Sequence, residues 1–316
     1  MHTIQKPAHG SIEWLNIRHR DTQGRVIFGG SEAGALMSVS EFTTLADLCV
    51  AKLSEPTVKE PEPQMMKGIF FEDGLLRFAQ NELGMIVKTP EVMYADRRFI
   101  ATLDGIAYDH AQPFCVVECK VTNGYTISSA DDLPASWVMQ GHVQSWVTDL
   151  PVYFAVFDKR QHLTLVEMPF DLELATAIFD TADKVGDSLD QGMIPDDVMP
   201  YLTQKHIQEM FPIVEQRAIV ADDKLVNHIF DLETTRNQIR QLKEQEQQDM
   251  DAIAREMRDA DTIVDATGHV MMTYKQQAGR KSFDAKAFQA DHPDLFAKYQ
   301  KDGAPFRVMR FGKGNR

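Results

Sequence analysis

Apolar and polar positions alternate along Arg98–Asp109 ("RFIATLDGIAYD") and again along Phe114–Val121 ("FCVVECKV"), the two-residue period of a half-buried strand. Val152–Asp158 and His162–Met168 repeat the pattern on either side of "KRQ" and predict a strand pair. Between and around these strands the period lengthens to that of a helix. Gly68–Leu83 carries Leu75, Leu76, Ala79 and Leu83 on one face, and Glu41–Leu53 and Phe170–Leu189 also read as helices. Pro134 marks the start of another, which runs to about Val147. Phe28–Met37 ("FGGSEAGALM") predicts a turn entering a helix, with Ser31 as N-cap and Glu32 in the first turn. Ser54–Gln64 is Pro-rich and acidic, hence a loop, and residues 1–24 form a polar lead-in with an early strand. This order predicts an α/β (mixed α+β) fold, a central mixed sheet flanked by helices, over residues 1–215.

The pattern changes in the last third. Asp222–Asp261 is rich in Gln, Glu and other charged residues and nearly free of Gly and Pro. Leu225, Ile229, Leu232, Ile239 and Leu242 hold one helical stripe, and Met250, Ile253, Met257 and Ala260 another that is out of phase with it. Residues 216–316 are therefore expected to be a helical extension with one long helix or helix pair, an oligomer contact rather than a regular coiled coil. Phe283–Lys301 predicts a short helical pair broken at a proline.

Composition narrows the classes. The three cysteines, Cys49, Cys115 and Cys119, sit in apolar surroundings and cannot pair evenly, which points to a reducing, cytoplasmic compartment. Three are also too few for a four-cysteine iron–sulfur cluster. No apolar run is long enough to span a bilayer, and no membrane partner is expected. The net charge of −14 argues against nucleic acid if taken alone. It is unevenly spread: Lys275–Arg316 holds ten Lys and Arg against four Asp, a balance of +6 that leaves the remainder near −20. An acidic body with a basic tail suits a DNA enzyme whose carboxylates hold metal.

Glu118 and Lys120 interrupt the otherwise apolar Phe114–Val121. Strand alternation puts both on one face with Phe114 and Val116, and puts Cys115, Val117, Cys119 and Val121 on the other. A buried pair of charges needs a compensating partner, and a divalent metal is one. The alternative is a paired, solvated face on an edge strand. Acid-x-Lys alone is a weak signal, expected about twice by chance in a chain of this composition. Asp104 ends the preceding strand, just before Gly105. If the two strands are adjacent and antiparallel, Asp104 lies beside Glu118. Two carboxylates with a backbone carbonyl make an all-oxygen site suited to Mg²⁺, and Lys120 would then serve an attacking water. Glu72 lies on the first turns of its helix, where an acid is also favoured by the helix dipole. Gln140 and Gln144 are four apart and share a helix face with Trp137; His142 lies off it and reads as incidental.

Glu72, Asp104, Glu118-Cys119-Lys120 and Gln140, in this order and spacing, resemble the PD-(D/E)xK nuclease superfamily. More narrowly, "GGSEAGALM" preceded by Arg25, "KGIFFEDGLLRF", "ATLDGIAYD", "VVECKVTN" and "ASWVMQGHVQSWVTDLPVYFAVFDK" resemble the YqaJ-type viral recombinase family, relatives of phage lambda exonuclease, across Arg25–Phe170. The sequence departs from the family's usual pattern at Val121, where Thr or Ser is commoner, and in "QGHVQ", where Gln144 can share or take the role of Gln140. The resemblance implies a restriction-endonuclease-like core and an exonuclease that degrades linear double-stranded DNA 5′ to 3′ with Mg²⁺, Mn²⁺ being an acceptable substitute. Asp104, Glu118 and the Cys119 carbonyl would be metal ligands, with Glu72 a ligand directly or through water. Lys120 would serve the nucleophilic water, Gln140 would position it or the lysine, and Arg25 with Ser31 would hold a DNA 5′-phosphate. Double-stranded DNA ends, a single-strand annealing protein and a homo-oligomer are the partners it implies. An endonuclease or repair-type nuclease of the same core, and a non-catalytic DNA-end or recombinase-binding scaffold, are the alternatives.

Overall fold

The computed structural model describes the chain except for residues 59, 61–62, 216, 302, 304–306 and 313–316 and the side chains of 64 and 65. The expected loop Ser54–Gln64 and basic tail Lys275–Arg316 thus fall partly outside the described residues. Two compact units make up the chain, Met1–Ile213 and Val214–Arg316.

The first unit begins with β1 (His2–Gln5), α1 (Ile12–Ile17), β2 (Phe28–Gly29), α2 (Ala33–Leu36), α3 (Leu45–Leu53) and α4 (Pro63–Leu83). It continues through β3 (Ile86–Lys88), β4 (Val92–Asp96), β5 (Phe99–Ala101), β6 (Gly105–Asp109) and β7 (Gln112–Val121). After α5 (Ala135–Thr148) come β8 (Val152–Phe157), β9 (Leu163–Met168), α6 (Leu172–Asp190) and α7 (Gln204–Met210). The fold is mixed α/β: a five-stranded sheet in the order β3-β6-β7-β8-β9 and a four-stranded sheet in the order β1-β4-β5-β2, both flanked by helices. In the larger sheet β7 and β8 are parallel, joined through α5 as a parallel pair requires, and the other pairs are antiparallel.

Several local expectations are corrected here. The alternating stretch Arg98–Asp109 is two strands, β5 and β6, in different sheets, and the chain crosses between them at Thr102–Asp104. Ser31 is no N-cap: Gly29 precedes a 3-10 turn over Gly30–Glu32, and the Glu32 carboxylate accepts the Gly29 N–H at 2.6 Å. Helix α3 starts at Leu45 because Thr44 and Asp47 close a capping box. Helix α4 starts earlier than expected, at Pro63, so Glu72 lies well inside it and not on its first turns. Helix α1 and strands β3 and β4 were not anticipated; each is too short for a period to show.

Each face of the five-stranded sheet buries one apolar layer. Val116, Phe154 and Val156 pack with Met139 and Val143 of α5 and with Ile178 and Phe179 of α6. Cys115, Val117 and Ala155 pack on the other side with Leu75 and Ala79 of α4. Phe154 and Phe179 are fully buried, each contributing about 1.5–3 kcal/mol. Gly105 is fixed by this second layer, since a Cβ there would lie 2.7 Å from Leu76 and 2.8 Å from Val87. Buried Arg98 ties β5 to α6 through Asp187 and Asp190, the latter at 2.8 Å, and bonds the Val26 carbonyl at 3.1 Å.

In the second unit α8 (Asp223–Met257) is one unbroken helix of 35 residues, capped by Asp222. Strands β10 (Thr262–Val264) and β11 (Val270–Thr273) form a hairpin, so the unit is not purely helical as expected. Helices α9 (Ala285–Asp291) and α10 (Pro293–Tyr299) are the short pair with its proline break. Among the described residues no helix is long and apolar enough to cross a membrane.

Candidate active site

Strand β6 ends its pairing with β7 at Gly105 opposite Val117, so the next residues of β7, Glu118–Val121, run on past the start of β6. The Cys119 N–H would be left without a strand partner. Asp104 supplies one: its Oδ2 accepts that N–H at 2.8 Å. The chain leaves the sheet at this point for β5, and the departure opens a cleft of about 420 Å³. Its lining includes Asp104, Glu118, Lys120, Gln140, Gln144, Glu72 and Ser31. Seven of the side chains singled out from sequence thus share one cavity.

Glu118 is buried and forms the hub. Gln140 Nε2 donates to its Oε1 at 2.6 Å and Gln144 Nε2 to its Oε2 at 2.6 Å. Lys120 Nζ lies 2.9 Å from Glu118 Oε1 and donates to Gln140 Oε1 at 2.8 Å. Both glutamines therefore engage the acid, which the four-residue spacing on α5 makes possible, and only Gln140 also bonds the lysine. The Lys120 ammonium lies 5.8 Å from the centre of the Trp137 ring. Burial pushes the Asp104 carboxyl well above its ordinary range, and the nearby Glu118 charge pushes it further. Glu72 is raised for the same two reasons, burial first, while Lys6 pulls the other way. Cys119 lies behind the site: its Sγ is 3.9 Å from the Glu72 carbonyl, and burial raises its thiol so that it is no nucleophile. His142 is buried and structural, bonding the Val138 carbonyl at 2.7 Å and accepting the Asp171 N–H at 3.0 Å.

The opposite wall differs from expectation in one residue. Arg25 does not reach the cleft. It pairs with Asp21 at 2.8 Å in the turn closed by the Arg20–Val26 bridge. Arg18, at the end of α1, does reach it and donates to Ser31 Oγ at 3.0 Å. Its guanidinium stacks 4.1 Å from the centre of the Trp14 ring and lies where a Cβ on Gly29 would be. Buried Lys52 holds this wall, bonding the Arg18 carbonyl at 2.9 Å and Glu32 at 2.8 Å. The signal for Arg18 was present in "SIEWLNIR", a Ser-capped turn with Trp and Arg four apart. Lys6 adds a second cation to this side of the cleft, while burial and then the neighbouring Arg18 and Lys6 charges hold His9 below its ordinary range and favour its neutral ring.

The donors suit a hard divalent cation in kind. They are all oxygens, and the mutual repulsion of Asp104, Glu118 and Glu72 is what such a charge relieves. Among the described residues, however, no three His, Cys, Asp or Glu side chains converge closely enough to enclose an ion as they stand. The buried side-chain polar atoms without a hydrogen-bond partner among the described residues are Trp14 Nε1, Thr102 Oγ1 and Gln144 Oε1, and all three belong to residues lining this cleft. Polar atoms left this way are costly, so the cleft is built to bond a polar ligand.

Comparison with known proteins follows the same lines. Residues 13–151 match the model of the YqaJ-like viral recombinase domain. No curated protein matches the chain. Among solved structures, an alkaline exonuclease from Laribacter hongkongensis is similar at 17% identity, over 63% of this chain and 99% of that one, with a TM-score of 0.46. Its complex with dAMP gives the same figures. A phage-related exonuclease from Haemophilus somnus is similar at 14% identity over 53% of this chain and 95% of that one, with a TM-score of 0.39. Residues 13–151, which hold every residue of the Glu118 network and the Arg18 wall, are thus the stretch that is similar to the YqaJ-like viral recombinase domain.

Proposed function

We propose that the cleft is the active site of a metal-dependent exodeoxyribonuclease that resects linear double-stranded DNA 5′ to 3′ and leaves single-stranded tails for recombination. The observation that carries this reading is the convergence of Asp104, Glu118, Lys120 and Gln140 on one wall of a cavity whose other wall presents Arg18 and Ser31. Carboxylates and a lysine on one side suit phosphodiester hydrolysis, and a guanidinium beside a hydroxyl suits a terminal phosphate.

Asp104, Glu118 and the Cys119 carbonyl would hold Mg²⁺ or Mn²⁺, with Glu72 as a further ligand. The ion supplies Lewis-acid charge to the phosphodiester when bound. Lys120 has three N–H donors, of which Gln140 and Glu118 take two, leaving one that could serve an attacking water. Gln140 and Gln144 fix the Glu118 carboxylate through both of its oxygens, so its orientation does not depend on the substrate. Arg18 takes the phosphate role that the sequence suggested for Arg25, and binding a 5′-phosphate there would set which strand is cut. The cations Lys6 and Arg18 answer the acidic charge of the chain at the place where DNA would enter. An annealing protein that receives the single strand is the expected partner.

Purified protein incubated with linear duplex and Mg²⁺ should shorten one strand from each 5′ end. Lys120→Ala should abolish this while the far-ultraviolet circular dichroism stays unchanged. Full activity in the folded variant overturns the assignment.

A further inference from the structure

The last part of the chain carries charge of the opposite sign to the whole. Between Tyr274 and Phe311 eight Lys and Arg stand against four Asp, in a chain whose net charge is −14. Much of this charge sits where the backbone has no regular structure. Residues 275–284, between the end of β11 and the start of α9, form neither helix nor strand, and every one of them is exposed. Lys275, Arg280 and Lys281 lie in this stretch and Lys286 just beyond it. Among the described residues none of the four is paired with an acid; the last ion pair of a Lys or Arg along the chain is that of Arg217 with Glu215. The one acid within the stretch, Asp284, is engaged elsewhere: its carboxylate accepts the backbone N–H groups of Lys286 and Ala287 at 3.1 and 3.0 Å and caps α9. Helix α8 of the same unit holds an excess of acids, yet among the described residues it forms no ion pair with these cations. Cations that the fold leaves unanswered are free for an external anion.

Their neighbours narrow the choice of anion. Tyr274 precedes Lys275, and Phe283 follows Lys281 by two positions. The pairing recurs at Tyr299, where the Lys298 ammonium lies 5.4 Å from the ring centre. Tyr274 is 64% exposed. Phe283 is held by Phe288, with 4.9 Å between ring centres, and is still 71% exposed. Leu, Ile, Val and Met are absent from 274–286, so the segment has no aliphatic anchor for a membrane or a protein groove. Repeated negative charge with flat faces between the charges is the chemistry of a nucleic acid. Only a single strand leaves the faces of its bases open to aromatic rings; a duplex would offer this segment its phosphates alone.

We propose that residues 274–286 bind single-stranded nucleic acid, with Lys275, Arg280, Lys281 and Lys286 on the phosphates and Tyr274 and Phe283 stacked on bases. The binding is independent of the nuclease reading; that the strand is the one left by resection rests on it. The test uses the full chain with a chelator present, so that nothing is cut, and a fluorescent oligo(dT) of about 20 nucleotides, read by anisotropy. Arg280→Glu combined with Lys281→Glu should weaken binding by about tenfold or more at low salt and lower the slope of log affinity against log salt by about 1.4, two phosphate contacts' worth. Tyr274→Ala and Phe283→Ala should each weaken it by about 5- to 150-fold, the worth of one stacked base, and leave binding of a covalently closed circular duplex unchanged. Unchanged affinity in the double charge variant overturns the proposal. So does an equal effect of the aromatic variants on the circular duplex, or binding to vesicles of phosphatidylserine and phosphatidylcholine as tight as to oligo(dT). Oligo(dT) binding that these variants lose, in a chain that resects no linear duplex, upholds the proposal and sinks the nuclease reading alone.

Discussion

Asp104 carries two loads that substitution can separate. Its carboxylate caps the Cys119 N–H at 2.8 Å where β7 outruns β6, and its charge sits half-buried near that of Glu118. Asp104→Ala removes the acceptor and leaves a half-buried N–H unpaired, which costs about 1–3 kcal/mol. For a unit of this size that lowers the melting temperature by roughly 2–12 °C. Asp104→Asn keeps a carbonyl oxygen in the same place and removes only the charge. Since burial and the Glu118 charge both oppose ionisation of Asp104, losing that charge relieves repulsion, and Asp104→Asn should melt at or above the wild-type temperature. Under the proposed function both variants should lose resection of linear duplex, because Asp104 would be a metal ligand and neither replacement carries its charge. The assay is thermal unfolding by circular dichroism beside strand shortening on a linear fragment. If Asp104→Asn is destabilised as much as Asp104→Ala, the charge is not under strain and the electrostatic argument fails. If either variant keeps wild-type resection, Asp104 is not in the active site.

Arg18→Ala should raise KM for 5′-phosphorylated ends by about 10- to 100-fold, the worth of a hydrogen-bonded charge, whereas Arg25→Ala should leave it unchanged in steady-state kinetics. Arg98→Met should cost about 1–3 kcal/mol in urea unfolding, since the Val26 carbonyl and the partly buried Asp190 lose their donor while Asp187 stays largely in solvent. His19 is pushed down to about 4 from 6.5, by burial first and then by Lys52 and Arg20. The unfolded chain takes up a proton near 6.5 that the fold resists until about 4, so this contribution is whole above that window and drains as pH falls through it. Stability measured across the window should fall with acid, and His19→Gln should flatten the slope.

The residues that form the site were legible because their signals are local. Glu118 and Lys120 stand two apart on a strand, Gln140 and Gln144 four apart on a helix, and Asp104 stands next to a glycine that packing requires. What was not legible depends on the tertiary fold. Residues 98–109 alternate throughout, so nothing in them shows that β5 and β6 belong to different sheets; the crossing at Thr102–Asp104 is made by which neighbours each half finds. Arg25 is nearer in sequence to Ser31 than Arg18 is, yet the turn between Arg20 and Val26 folds back and delivers Arg18 instead. Glu72 looked like a first-turn acid because the helix signal weakens across the Pro-rich stretch, while Pro63 in fact begins α4.

The proposed function is that of a cleft that would cut DNA from an end with the help of a divalent ion. Incubating the protein with equal amounts of linear and covalently closed circular duplex, with Mg²⁺ or with a chelator, tests it most directly. Loss of the linear form alone, with Mg²⁺ alone, is the predicted result; cutting of the circle, or resection that continues under chelation, contradicts it.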